Sequence, residues 1–169
     1  MNKSYICLTF VVFLAAMSGL GGAAQSQPSI LVGAWKLDSY ETRGAKGDIE
    51  YPIGKHVRGQ LLYDARGDVS VHVMREDRPA FALNDFGRGT DIEVRTAWDG
   101  YLAYFGTYTV DSVKHTVTHH IRGALFPNFV GSDQVRNYKF EDGRLVLSTP
   151  PILWRGKSRE FVLVWERLP

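Results

Sequence analysis

Val32-Gly33-Ala34-Trp35-Lys36-Leu37 decides the fold. A small residue and a tryptophan open a stretch that alternates in polarity, so Ile30 to Thr42 reads as a strand. Strict alternation from Trp35 puts Leu37, Ser39 and Glu41 on one face and Lys36, Asp38 and Tyr40 on the other. Downstream, short strand patterns separated by turns return at the end of the chain to a second tryptophan, in Trp165-Glu166-Arg167.

The clearest hairpin joins Gly59-Gln60-Leu61-Leu62-Tyr63-Asp64 to Val69–Met74 through Ala65-Arg66-Gly67-Asp68. Val69, Val71 and Val73 share one face, opposite Ser70, His72 and Met74. Further strands are expected at 104–110, 115–122, 133–140, 145–149 and 160–168. Pro150-Pro151 interrupts the ladder, because proline has no N–H to donate. One helix is expected from Thr90. Its hydroxyl and Glu93 form a capping box, and Val94, Trp98, Tyr101 and Leu102 make a stripe to pack on the sheet. That helix and the loop before it are expected to close one mouth of a barrel, as a plug or as a lid.

Many short strands with regular turns mean a sandwich or a barrel. About eight or nine strands can close around one small ligand. The ordered set Gly33-x-Trp35, Gly59-x-Leu61-x-Tyr63, Tyr104-Phe105-Gly106-Thr107-Tyr108 and Trp165-Glu166-Arg167 resembles the bacterial and fungal lipocalin-like domain family over residues 31–168. The resemblance implies an all-β, antiparallel up-and-down barrel enclosing a cavity, and no single activity. It also implies a structural pair, Arg167 lying across Trp35.

The chain has 169 residues, enough for one domain, here expected at 30–169. Residues 1–24 carry a positive start, an apolar run and a small-residue exit, the order of a secretory signal peptide. The expectation is a protein released into the periplasm or outside the cell, with no stable membrane anchor after cleavage. The single cysteine, Cys7, falls inside that leader. Disulfide and thiol chemistry are therefore not expected in the mature domain. The net charge of +2 and the scattered basic residues give no footprint for nucleic acid.

No Gly-x-Ser-x-Gly, phosphate loop, dinucleotide fingerprint or His-Glu-x-x-His is present, and no cofactor is expected. His115 and His119 share a strand face but lie roughly 13 Å apart, too far for one metal ion. No metal site is expected. His119 reads either as a general acid or base or as a hydrogen-bonded structural residue. Arg136 shares a face with Tyr138 and, inside a barrel, needs an anion, since a lone buried charge is costly. It reads either as the holder of an acidic ligand group or as the partner of Glu93 or Glu166. Tyr40, Tyr63, Tyr104, Tyr108, Met74 and Trp154 are candidates to line an apolar lumen. Three functions remain: binding of a small hydrophobic or amphipathic molecule, an acidic one included, cofactor-free isomerase or cyclase chemistry using His119 with tyrosine and Arg136, and a filled barrel without a ligand. Oligomeric state is not legible.

Overall fold

A computed structural model describes residues 30–169. The expected leader, 1–24, lies outside the described residues. Ten strands are present: β1 (Gly33–Gly44), β2 (Ile49–Glu50), β3 (Val57–Tyr63), β4 (Asp68–Arg75), β5 (Tyr101–Asp111), β6 (Thr116–Ala124), β7 (Asp133–Glu141), β8 (Arg144–Ser148), β9 (Ile152–Trp154) and β10 (Lys157–Arg167). One helix, α1 (Asp91–Asp99), precedes β5. Neighbours pair antiparallel in the order β2-β1-β3-β4-β5-β6-β7-β8-β10-β9, and β1 also pairs with β10. That last pairing closes an eight-stranded barrel, with β2 and β9 as short additions, and leaves the eight wall strands without a free edge.

The core is the inward set that alternation selects: Leu61 and Tyr63 of β3, Val69, Val71 and Val73 of β4, Val117, His119 and Ile121 of β6, and Phe161, Leu163 and Trp165 of β10. On β1 strict alternation fails. The register with β10 slips between Leu37 and Ser39, so Asp38 is an extra residue. A bulge of this kind shifts the phase by one. Trp35, Leu37, Tyr40 and Thr42 are consequently all buried, and Tyr40 joins the face that simple counting denies it.

The opening stretch closes one end. Trp35 is fully buried and donates its indole N–H to the Leu31 carbonyl at 2.9 Å. The Arg167 guanidinium lies 4.2 Å from the Trp35 ring centre and donates to the carbonyls of Val32 (2.8 Å) and Ile30 (2.7 Å). Gly33 is required here: its φ of +141° disfavours a side chain, and a Cβ would meet Arg167 Nη1.

The helix starts as expected, with the Thr90–Glu93 capping box formed in both directions. It ends sooner. Gly100 is its C-cap, and Tyr101 and Leu102 belong to β5, because Tyr101 pairs with Met74 and Leu102 with Val73. No residue of α1 is buried. No helix among the described residues is long and apolar enough to cross a membrane.

Candidate functional site

The barrel is hollow at the end away from Trp35. A cavity of about 490 Å³ is lined from β1, β4, β5, β7, β8, β9 and β10 and from the segment that follows β6, within the range for small-molecule sites. Its walls are aromatic and aliphatic, chiefly Phe129, Phe161, Trp165, Leu147 and Leu163. Leu153, Phe126 and Trp98 also line it yet are exposed, which marks them as the rim. Trp98 is the contribution of α1, so the helix stands at the mouth.

The polar groups are few. Tyr40, Tyr104, Gln134, Arg136 and Thr149 line the cavity, and Tyr101 and the exposed Arg155, stacked over Trp154, contribute further out. Behind Tyr104 lies His119, completely buried, with Nδ1 2.9 Å from the Tyr104 hydroxyl and Nε2 2.7 Å from the Tyr63 hydroxyl. Burial, reinforced by the nearby Arg136 and His120, lowers the His119 pKa from 6.5 to about 3, so the ring is neutral. Burial raises Tyr63, Tyr104 and Tyr40, and the Arg136 cation partly offsets this at each. Arg136 therefore faces three tyrosines and a histidine. None of the ion pairs among the described residues involves it; Glu166 pairs with Lys36, and Glu93 is engaged at the helix cap.

The lipocalin-like domain model matches residues 32–168. The chain belongs to the lipocalin-like family. A curated relative, a 4'-hydroxy-3'-methoxypropiophenone carrier protein of Aspergillus oryzae, is 33% identical over 108 residues, covering 60% of this chain and 97% of that protein. Among solved structures, a lipocalin-like protein from Bacteroides uniformis is similar over 82% of this chain and 98% of its own, with 12% identity and a TM-score of 0.42.

This lipocalin-like barrel brings together only part of the set expected from sequence. Tyr40, Arg136 and Trp154 line the cavity. Tyr63 is one step behind it, bonded to His119. Tyr108 packs edge-on against Tyr63 at 4.7 Å and donates to the Asp64 carbonyl at 2.9 Å, without lining the cavity. Tyr138 points inward but at the other end of the barrel, where its ring meets His115 at 5.8 Å. Met74 is a correction. It alternates with the buried Val73 and so falls on the outer face, paired to Arg58 and Tyr101. His115 is a correction too: with φ of 53° it lies in the turn before β6 and does not share a strand face with His119. Among the described residues no cluster of three metal-ligating side chains occurs.

Sequence reasoning missed Gln134, Thr149 and Trp165 as lining residues, although each lies two positions from an inward strand residue, Thr149 just past the end of β8. It also missed Arg159, fully buried between Asp48 (2.7 Å) and Glu50, where it ties β10 to the β1–β2 hairpin.

The buried neutral histidine gives the fold a pH signature. Unfolded, His119 titrates near its ordinary value; folded, it does so only at about 3. The unfolded chain thus binds more protons between these limits. The stabilisation is complete above about pH 6.5 and is lost progressively as pH falls towards 3. Unfolding by urea is expected to be easier by about 2 kcal/mol at pH 5 than at pH 7.5. Asp64, Glu93 and Asp111, whose pKa values are lowered from already acidic ones, stabilise the fold above the ordinary carboxylate range and lose that contribution only as pH falls below it. A flat profile from pH 7.5 to 5 would contradict the neutral, enclosed ring.

Proposed function

We propose that this lipocalin-like barrel binds a small, flat, largely apolar molecule in its lumen, after export directed by residues 1–24. The observation that carries the reading is the cavity of about 490 Å³, walled by aromatic rings and supplied with a few polar groups at its inner wall. The related carrier supports it. The compound in that protein's name is a single-ring aryl ketone, of a size and polarity such a cavity accommodates. The alternative of isomerase or cyclase chemistry asked for a His119 nitrogen facing the substrate. Both nitrogens are engaged by tyrosines, which leaves binding as the better-supported reading.

Native mass spectrometry on protein recovered from its own host tests the proposal. The expected chain starts near Gln25 and carries a small organic adduct that is lost on denaturation. Leu163→Trp, which places an indole in the cavity, is expected to eliminate the adduct while preserving the folded charge-state distribution. An adduct retained by the variant, or none in either protein, would overturn lumen binding. A chain still carrying residues 1–24 would overturn export by cleavage.

A further inference from the structure

Counting protons around His119 determines what the inner wall can hold. Among the described residues, the fully enclosed Tyr63 hydroxyl has His119 Nε2 as its one hydrogen-bond partner. If Tyr63 accepted from an Nε2–H, its own proton would be left without an acceptor in a dry site. If Tyr63 donates, only lone pairs go unused, which is the cheaper arrangement. Tyr63 therefore donates to Nε2, and the imidazole proton sits on Nδ1. From there it is donated to the Tyr104 oxygen, 2.9 Å away. Tyr104 lines the cavity, and its own proton is left for the lumen.

The neighbouring groups are donors as well. Arg136 lines the same cavity and can only donate; one N–H goes to the Val135 carbonyl at 2.8 Å, another is engaged with the Tyr104 oxygen, and no carboxylate pairs with it. Trp165 also lines the cavity, and its fully buried indole N–H has no acceptor among the described residues. Three donors with spare capacity, one of them charged, adjoin a single cavity.

We infer that the Tyr104–Arg136–Trp165 wall is a seat for a ligand oxygen bearing no proton, preferentially an anionic one such as a carboxylate or enolate, with a ketone carbonyl as its neutral counterpart. His119 is a positioning residue: it turns the Tyr104 proton towards the ligand. An ammonium group at this wall would meet a cation, and the neutral oxygens of Tyr40, Gln134 and Thr149 are the acceptors nearby, with no carboxylate among the lining residues. The inference rests on lumen binding as proposed above.

Four probes of one shape separate the two: 2-naphthoate, 2-acetonaphthone, 2-ethylnaphthalene and 2-naphthylmethylammonium, titrated by calorimetry near neutral pH. Naphthoate is expected to bind at least about tenfold more tightly than ethylnaphthalene, acetonaphthone to fall between them, and the ammonium to be weakest. In Arg136→Met the naphthoate-to-ethylnaphthalene ratio should collapse towards one. In Tyr104→Phe the acetonaphthone margin should shrink. Nitrogen-15 NMR of His119 should show a protonated Nδ1 and a bare Nε2. Equal binding of naphthoate and ethylnaphthalene, a ratio that survives Arg136→Met, or a protonated Nε2 would overturn the seat while leaving lumen binding intact. Failure of all four probes would remove lumen binding, and the seat with it.

Discussion

His119→Ala is expected to lower stability by about 4 kcal/mol, a fall in melting temperature of roughly 10–15 °C for a domain of this size. The ring is wholly enclosed and serves two hydroxyls at once. Its removal leaves a void between β3, β5 and β6. Tyr104 can turn to the cavity, but Tyr63 has no second partner and keeps a buried, unmatched donor, which alone costs about 1–3 kcal/mol. His119→Gln, which can still accept a hydrogen bond, should recover part of the loss. The outcome separates two roles. A residue that merely transfers protons to a substrate can be deleted with little change in melting temperature. A keystone between two tyrosines cannot. Thermal melts of the purified variants decide it, and a shift within about 3 °C of the parent would show that Tyr63 and Tyr104 do not depend on the ring.

The same residue shows what the chain discloses by itself. Period-two counting places Val117, His119 and Ile121 on one face of β6, and that face is the interior. Counting reveals a face, not a height along the barrel axis. Tyr138 and Arg136 share a face of β7, yet Arg136 reaches the cavity while Tyr138 packs at the opposite end. Height follows from the stagger of all eight strands, and that is set by pairings between residues far apart in sequence, such as Leu37 with Trp165. The phase of β1 beyond Asp38 was hidden for the same reason, since the bulge exists only relative to β10. Turns and caps, by contrast, are local. The Arg66–Gly67 hairpin and the Thr90–Glu93 box could be read from a few residues and form as read. The strands β2 and β9 are too short to show a period; they exist because Thr42–Arg43 and Lys157–Arg159 offer them partners. Met74 needed no long-range information: its parity against Val73 already argued for the outside.

Trp35→Ala should be the most damaging change at the closed end, at about 4–5 kcal/mol by chemical denaturation, a large share of the 5–15 kcal/mol typical of a domain. The indole is fully buried, tilts against Phe140 at 6.1 Å and supplies the donor that fixes the Leu31 carbonyl. Alanine removes all three, and Arg167 loses the ring face that it covers. Arg167→Met should cost much less, about 1 kcal/mol, because the arginine is exposed and the indole keeps its packing without it. The double variant should be no worse than Trp35→Ala by more than a few tenths of a kcal/mol, since the stacking energy can be lost only once. Full additivity would mean that Arg167 stabilises chiefly through its bonds to the Ile30 and Val32 carbonyls. The arginine would then fasten the incoming chain to β10, and the contact with the ring would be a consequence of that fastening.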